Sequence, residues 1–316
     1  MPLTLPLPAP RETARFDVVA LGESSLDVVA ELAGGATTTS KQTLSSLTLR
    51  VGGQMATAAV GVARLGQRAC YVGVLGDDGW GERVRAELAH EGVTVETTPR
   101  AGRPSRAAVI LVEPDGDRRV LEYRHPDMEL QPDEVPEACT AGRLLLVDAT
   151  NGAAAVEAAR RARARGIPTV VDADRVSPDT DALFEFIDVI VVPEPFIIEW
   201  AGVYDLAHGL QQMATRFASA VAVVATRGPA GAMALAGGQL IDVPGFAVDV
   251  ADTTGAGDAF RAGLCAGWLR GDVQAELVQV LRFANATAAL NCRAVGAQAG
   301  LPREAEVLAL LNGGRG

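Results

Sequence analysis

The sequence predicts an α/β fold: a doubly wound, mostly parallel β-sheet flanked by helices, with a small β-sheet that projects from it as a lid. From Gly142 onward, short apolar strands alternate with helices, and this alternation requires parallel strands joined by right-handed crossovers. Hydrophobic residues make up 48% of the chain and aromatic residues only 4%, which favours aliphatic strands buried under helices. Two polar β segments interrupt the alternation and predict the second sheet.

The elements of the main body follow from their patterns. “FDVVALG” at 16–22 is typical of a buried strand, “GGQMATAAVGVARLG” at 52–66 predicts a helix, and “WGERVRAELAHEGV” at 80–93 predicts an amphipathic helix. The later strands are “RLLLVDAT”, “PTVVDAD”, “DVIVV” and “AVAVVATRG”. Ligands bind beyond the carboxyl ends of such strands. The side chains expected there are Asp27, Asp148, Asp172, Asp174 and Thr226. Asp172 and Asp174 could support a metal ion or phosphate, with Arg175 paired to them.

The two polar β segments lie at about 28–50 and 104–125. The first is rich in threonine and serine without a helical period, and the second reads as a hairpin with Pro-Asp-Gly-Asp as its turn. We expect them to form one lid-like sheet, because long insertions in compact domains are usually functional. Residues 1–15 are Pro-rich and lack the pattern of a signal peptide. We therefore expect a disordered tail before a single domain at 16–316.

Composition excludes several classes of partner. The formal net charge is -11, which does not favour nucleic acid or an anionic membrane surface, and no run of 18 apolar residues predicts a membrane span. Four cysteines lie far apart without a Cys-x-x-Cys pair, and there are only three histidines, so neither a zinc site nor a disulfide framework is expected. Buried free thiols in a reducing compartment, the cytoplasm, are the simpler interpretation.

The stretch “ADTTGAGDAFRAG” at 251–263 is the strongest candidate for chemistry. It follows “FAVDV”, which reads as a strand, and it opens a helix from about Gly255. Free N–H groups at a helix N-terminus attract anions, and glycines let a phosphate approach the backbone. Asp258, in the first turn, could take a proton from a hydroxyl beside that phosphate. The alternative is that the glycines only permit close packing and that Asp258 only caps the helix.

Further segments carry a family resemblance. “DTTGAGD” resembles the C-terminal signature of the PfkB/ribokinase family of sugar and nucleoside kinases, and “GGQMATAAVGVARLG” resembles its N-terminal signature. “GESSLD” at 22–27, “ATRGPAGA” at 225–232 and “RFANATAAL” at 282–290 resemble three other family segments. The matches are in order and cover almost the whole chain, so together they are highly specific. The resemblance implies a ribokinase-like fold and an ATP-dependent phosphotransferase with an alcohol group as acceptor.

The resemblance also implies roles for individual residues. Asp258 would be the base that activates the acceptor hydroxyl. The anion hole for the transferring phosphoryl group would consist of the N–H groups of Gly255, Ala256 and Gly257. The acceptor pocket would include Asp27, Gly52 and Gly53, and ATP would contact Thr226, Gly228, Gly231 and Asn285. ATP would enter with Mg²⁺, Asp252 marks the place where some relatives bind a monovalent cation such as K⁺, and two lids would pair in a homodimer.

Two positions depart from the family pattern. Thr57 stands where many members carry an asparagine, which bonds a sugar hydroxyl through both a donor and an acceptor; threonine offers one hydroxyl or bonds its own helix backbone. In “VVPEPFIIEWAG” at 191–202, the family's Asn-x-x-Glu falls on Pro193 and Phe196, and neither can hold magnesium-bound water. Glu194 is the candidate metal residue in that segment, and it could also be an ordinary surface acid.

Similar departures occur in the branch of the family that includes the 6-deoxy-6-sulfofructose kinases. A sulfonate acceptor requires cations, and Lys41, Arg106 and Arg124 lie in or near the expected lid; each could also belong to a solvated surface. The sequence therefore predicts an ATP-dependent sugar kinase, with a ketose or a 2-keto-3-deoxy acid favoured as the acceptor. The alternatives are a 6-deoxy-6-sulfofructose kinase, a nucleoside kinase and a non-catalytic nucleotide- or sugar-binding relative.

Overall fold

The computed structural model describes residues 3–34, 41–113, 118–270 and 274–313. The strands in these residues are β1 (Phe16–Leu21), β2 (Ser25–Leu32), β3 (Leu44–Gly52), β4 (Ala69–Gly76), β5 (Thr94–Arg100), β6 (Ala107–Val112), β7 (Arg118–Tyr123), β8 (Gly142–Asp148), β9 (Thr169–Asp172), β10 (Val189–Pro193), β11 (Ala222–Thr226), β12 (Ala232–Ala236) and β13 (Gln239–Val243). The α-helices are α1 (Gln54–Arg64), α2 (Gly79–His90), α3 (Gly152–Ala164), α4 (Thr180–Phe184), α5 (Glu194–Ala201), α6 (Leu206–Arg216), α7 (Ala256–Leu269), α8 (Leu277–Asn291) and α9 (Glu304–Leu311).

The main sheet has the order β13-β12-β11-β10-β9-β8-β1-β4-β5 in the described part of the chain. The seven strands β5, β4, β1, β8, β9, β10 and β11, which are neighbours in this order, run parallel. β12 and β13 add an antiparallel edge. One face packs against α1, α2, α7 and α8, and the other packs against α3, α5 and α6. The predicted doubly wound, mostly parallel fold is therefore confirmed. The order of the strands reverses between β1 and β8, which is where ligands of such sheets bind.

A second sheet, which we call the lid sheet, consists of β3, β2, β6 and β7 in that order. β2 pairs antiparallel with β3 and parallel with β6, and β6 and β7 form the predicted hairpin; the turn at 114–117 lies outside the described residues. The prediction of a small sheet is confirmed. Asp27 lies within β2, so it belongs to the lid sheet and not to the end of β1.

The N-terminal segment differs from the expected disordered tail. From residue 3 onward it packs along the main body, and Leu5 is only 2% exposed. The carbonyl oxygen of Leu3 accepts a hydrogen bond from the N–H of Leu277 at 2.9 Å, and that of Pro6 accepts from the indole nitrogen of Trp268 at 2.8 Å. Composition could not reveal this, because the partners of the segment come from α7 and α8, more than 250 positions away.

Two other sequence-based expectations have a clear outcome. The strand expected at “FAVDV” is wrong: residues 246–250 form no strand, because the β12–β13 hairpin provides the edge of the sheet and the apolar residues of this segment line a cavity instead. All four cysteines are buried and free, as predicted. Within the described residues, no helix combines the length and the apolar character needed to cross a membrane.

Candidate active site

The chain enters α7 through Gly255, whose φ of 74° lies in the left-handed region. A Cβ atom on this residue would lie 2.5 Å from the carbonyl oxygen of Ala297, so both the backbone conformation and the available space require glycine. Asp258 is in the first turn of α7. Of the three N–H groups predicted to form an anion hole, that of Ala256 already donates to the carbonyl of Thr253 at 3.2 Å.

The turn at 255–257 separates two cavities. The first, which we call the lid cavity, has a volume of about 370 Å³ and is covered by the lid sheet; its lining includes Asp27, Gly53, Arg106, Arg124, Gly255 and Asp258. The second, the β11 cavity, has a volume of about 530 Å³, and its lining includes Thr226, Gly228, Gly231, Ala256, Gly257 and Asn285. Residues predicted for the acceptor and for ATP thus lie on opposite sides of one glycine turn.

Asp27 brings a buried carboxylate from the lid sheet into the lid cavity. A Cβ atom on Gly52 would lie 2.1 Å from its Oδ2, so glycine at that position leaves room for the carboxylate. Oδ1 of Asp27 accepts a hydrogen bond from the hydroxyl of Ser25 at 2.7 Å. Burial raises the pKa of Asp27, the Ser25 bond opposes that rise, and the charges of Glu23 and Glu122 add to it. The carboxylate is well suited to accept bonds from neutral hydroxyl groups.

Three arginines also line the lid cavity, and each is paired with an acid. Arg106 lies 3.5 Å from Glu23, Arg124 lies 3.2 Å from both Glu23 and Glu122, and Arg175 lies 3.4 Å from Glu122. Arg106 is only 6% exposed, and among the described residues its other polar contact, with the carbonyl of Met128, is 3.4 Å long. The cations of the cavity are therefore largely compensated by carboxylates.

Glu23, which the sequence did not single out, is held in place by Asp148 at the end of β8. Oδ2 of Asp148 accepts from the backbone N–H of Glu23 at 2.6 Å, and Oδ1 accepts from the N–H of Thr150 at 2.9 Å. Burial, together with the charge of Glu23, raises the pKa of Asp148 to about 7. Asp148 thus connects the switch point of the main sheet to the charge pairs of the lid cavity.

Asp258 lies among other carboxylates. Burial raises the pKa of Asp258 well above its ordinary value, the charge of Asp172 raises it further, and the charge of Arg261 lowers it. Arg261 and Asp172 form a buried ion pair at 2.8 Å. Of the two acids expected to pair with Arg175, Asp174 lies 4.0 Å from it, and Asp172 is paired with Arg261 instead; Arg175 also pairs with Glu122. The spacing of Asp258 and Arg261, three residues apart in a predicted helix, was a signal for their proximity.

In the part of the chain that the structure describes, three residues predicted to contact the acceptor do not line the lid cavity: Gly52, Thr57 and Lys41. Thr57 is fully buried in α1, where its hydroxyl accepts a long bond of 3.5 Å from the amide of Gln298. In this geometry packing encloses its side chain, and its contact with the acceptor stays a prediction. Lys41 is exposed, three positions before β3.

The two candidate metal residues, Glu194 and Asp252, belong to different parts of the structure and make different contacts. Glu194 opens α5 directly after β10, whose last residue pairs with Thr226 of the β11 cavity. Asp252 accepts bonds from the N–H and hydroxyl of Thr254 at 2.7 and 2.8 Å and from the N–H of Gly296 at 2.8 Å. Both of its oxygens thus hold the loop before α7. Among the described residues, no group of three or more potential ligands could enclose a metal ion.

The β11 cavity has a preformed wall. A Cβ atom on Gly231 would lie 2.2 Å from the carbonyl oxygen of Val243, so the chain can pass there only as glycine. Asn285 is 5% exposed, and its amide nitrogen donates to the carbonyls of Val243 and Pro244 at 3.0 and 3.1 Å. Its predicted place beside a nucleotide base is compatible with this cavity, although its amide nitrogen already fixes the end of β13.

Comparisons with known proteins agree with this site. The family model “pfkB family carbohydrate kinase” matches residues 15–304. A fructokinase of Klebsiella pneumoniae is 32% identical over 273 residues, which cover 79% of this chain and 88% of the relative. A ribokinase of Arabidopsis thaliana, solved with ribose and ATP, superposes with a TM-score of 0.83 at 22% identity and covers 94% of this chain and 98% of its own. A fructokinase of Xylella fastidiosa with bound ATP superposes with a TM-score of 0.80 at 23% identity over 93% of this chain and 98% of its own.

The fold and the two cavities define an α/β enzyme of the ribokinase-like class. More particularly, the chain belongs to the pfkB family of carbohydrate kinases. It is a sugar kinase, a phosphotransferase with an alcohol group as acceptor, so the alternative of a non-catalytic relative is set aside.

Proposed function

We propose that this protein transfers the γ-phosphoryl group of ATP to a hydroxyl of a ketose, with fructose as the first acceptor to test. One observation carries the proposal: the glycine turn that opens α7 lies between the lid cavity, which contains Asp27 and Asp258, and the β11 cavity, which contains the residues expected at ATP. A phosphoryl group bound at the turn has a sugar on one side and a nucleotide on the other. The fructokinase relative supports the choice of sugar.

The residues of the site perform three tasks in this proposal. Asp258 accepts the proton of the acceptor hydroxyl as that oxygen attacks the phosphorus in line. The N–H groups at the start of α7 hold the charge on the transferring group, which the helix dipole also favours. Asp27 accepts bonds from other hydroxyls of the sugar and fixes its orientation. The lid sheet covers the cavity and excludes water, which protects ATP from hydrolysis.

The charges of the lid cavity favour a neutral acceptor over an anionic one. Arg106, Arg124 and Arg175 are already paired with Glu23 and Glu122, so a sulfonate or carboxylate would have to compete with these acids. A second candidate, an anionic sugar such as a 2-keto-3-deoxy acid or 6-deoxy-6-sulfofructose, is favoured by one feature. Arg106 is buried, and its contacts with the described residues are long, at 3.5 and 3.4 Å, so we expect its remaining N–H donors to be available to an oxyanion.

Mg²⁺ fits the proposal without an enclosed protein site. It usually binds through one or two carboxylates together with substrate phosphates. Glu194, beside the β11 cavity, is the residue that would hold it, directly or through water. When bound, Mg²⁺ supplies positive charge that neutralises the phosphate oxygens. A bound K⁺ near Asp252 stays a prediction.

The first prediction tests the base. Asp258→Asn should lower kcat by about 10²–10⁴-fold, because a neutral amide cannot accept the proton, while ATP binding stays intact. For the wild type, a coupled assay of ADP release should give the highest kcat/KM with a ketose. The acceptors to compare are fructose, other ketoses, aldoses, 2-keto-3-deoxy acids, 6-deoxy-6-sulfofructose and nucleosides. Asp249→Asn, an exposed acid nine residues earlier, is the control and should retain full activity. Full turnover by Asp258→Asn would contradict the assignment, and a preference for an anionic sugar would favour the second candidate.

A further inference from the structure

A buried ion pair lies directly behind the catalytic turn. Arg261 is one helical turn after Asp258 on α7 and is 4% exposed, and Asp172, at the end of β9, is 1% exposed. Nη2 of Arg261 donates to Oδ1 of Asp172 at 2.8 Å and to the carbonyl oxygen of Val191 at 3.2 Å. The pair therefore connects α7 with the carboxyl ends of two neighbouring strands of the main sheet.

The guanidinium group also packs beneath the anion-binding turn. A Cβ atom on Gly257 would lie 2.6 Å from Nη1 of Arg261, so the positive charge lies against the backbone of the residue just before Asp258. The absence of a side chain at Gly257 makes this approach possible. The charge is fixed by burial and by its two acceptors, and it cannot move away from the catalytic carboxylate without breaking both bonds.

The geometry of the pair is poorly explained by stability alone. Within the described residues, Oδ2 of Asp172 and Nε of Arg261 are buried without a hydrogen-bond partner, so the contact is not the two-point arrangement that makes arginine–carboxylate pairs strong. Buried ion pairs are in general weak evidence for a contribution to stability, because the loss of hydration offsets much of the attraction. A role in the electrostatics of the site accounts better for a charge placed there.

The charged groups that face Asp258 are mostly acids. Besides burial, the charges of Asp172 and Asp174, at and after the end of β9, and of Asp148, at the end of β8, raise the pKa of Asp258, and the charge of Arg261 lowers it. Three carboxylates around a fourth favour its protonated form, and a protonated Asp258 cannot accept the proton of a hydroxyl group. Arg261 opposes that effect. Without it, a larger fraction of the enzyme would carry a neutral Asp258 at a given pH.

We propose that Arg261, held by Asp172, is a positioning residue that keeps the carboxylate of Asp258 ionised and thereby sets the acid limit of catalysis. The inference rests on the proposed role of Asp258 as the base. Neither residue of the pair lines the lid cavity, so neither is expected to contact the sugar. The pair acts on the reaction through the charge state of Asp258.

The test is the pH dependence of kcat/KM for the acceptor that the enzyme uses best, measured from pH 5 to pH 9 with saturating ATP and Mg²⁺. Removal of a close opposite charge shifts a carboxylate pKa by about one unit or more. Arg261→Met should therefore move the acid limb upward by about one pH unit, with about a tenfold loss on the acid side and near-normal activity at high pH. Arg261→Lys, which keeps the charge, should keep the wild-type profile.

The partner residue gives an independent and opposite prediction. Asp172→Asn removes a negative neighbour but keeps an oxygen that can accept from Arg261, so its acid limb should move downward. The double variant Arg261→Met/Asp172→Asn removes one charge of each sign, and its limb should return close to that of the wild type. If Arg261→Met does not fold, as judged by its thermal unfolding, the shift of Asp172→Asn still decides the question.

Other outcomes would overturn the inference. A loss of activity in Arg261→Met that is equal at every pH would mean that Arg261 only supports the fold of the turn. An acid limb that does not move, or moves upward, in Asp172→Asn would do the same. A failure of the proposed base would be recognised separately, because Asp258→Asn would then remain active. That result does not depend on the pH profiles of the Arg261 and Asp172 variants.

Discussion

The carboxylate of Asp17 lies among three arginines at the amino ends of β1 and β8. Arg11, Arg68 and Arg143 approach it to 3.2, 3.0 and 3.5 Å, and its side chain is fully buried. Burial alone would raise the pKa of Asp17, but the bonds from Arg68 and the charges of Arg11 and Arg68 outweigh it, so the pKa is lowered. This cluster also orders the N-terminal segment, because Arg143 donates to the carbonyl of Ala9 at 2.7 Å.

Asp17→Asn should lower the free energy of unfolding at pH 7 by about 3 kcal/mol, because it removes the carboxylate from a buried ion pair with Arg143. Because the pKa of Asp17 is lower in the folded state than in the unfolded state, its ionised carboxylate stabilises the fold fully above the unfolded-state pKa, near pH 4. This contribution is lost as the pH falls through the folded-state pKa. The difference between wild type and variant should thus shrink from pH 5 to pH 3. Urea unfolding measures both quantities. Glu157→Gln, which breaks exposed pairs with Arg160 and Arg161, should have little effect, and an equally small effect of Asp17→Asn would refute the prediction.

The turn into α7 shows how a single element can carry the chemistry of the site. Its glycines were visible in the sequence, and so was the helix that follows, because small and apolar residues recur at helical spacing. The reason that Gly255 must be glycine was not visible. It depends on the carbonyl of Ala297, which folding brings to the turn from the far side of α8.

Gly255→Ala should lower kcat by about 100-fold, since a displaced turn misplaces the phosphoryl group, and it should also destabilise the fold. Gly66→Ala is the matched control. Gly66 has a similar φ of 83°, but no atom lies within 4 Å of a Cβ placed there. In both variants the left-handed conformation costs about 1–2 kcal/mol of stability. Only Gly255→Ala should also lower kcat. Equal kinetics in the two variants would show that the contact with Ala297 has no effect on the turn.

The elements that the sequence predicted well are those whose signal is local. Alternating strands and helices, the lid hairpin and the glycine turn that opens α7 are each specified by a short stretch of sequence. The departures depend on distant partners: the N-terminal segment packs on α7 and α8, and Arg175 pairs with Glu122 of the lid sheet in addition to Asp174. The Arg261–Asp172 pair joins two segments almost 90 positions apart, so a motif that ends at Asp258 does not reveal it.

The molecule as a whole leaves one apolar surface exposed on the lid sheet. The register places Leu49, Val28, Val109 and Leu121 in one row across the four strands, on the face opposite the row that contains Asp27 and Glu122, which lines the lid cavity. Leu49, Val109 and Leu121 are 40%, 39% and 52% exposed, and Leu47 extends the same face. An apolar patch of this kind in a water-facing sheet marks an interaction surface.

We propose that a second copy of the chain covers this face and that the protein is a homodimer through its lid sheets. Two identical sheet faces can pair about a twofold axis with no other partner.

The wild type should then sediment as a dimer at micromolar concentration, and Leu121→Lys should be monomeric, because a buried ammonium group at the centre of the row would be left unpaired. Leu240→Lys, at an equally exposed position of 52% on β13, should remain dimeric. A monomeric wild type, or a Leu121→Lys variant that still dimerises, would show that another surface or no surface mediates assembly. The opposite face of the same four strands lines the lid cavity. In a monomeric variant the KM for the sugar should therefore rise above its wild-type value by a larger factor than the KM for ATP.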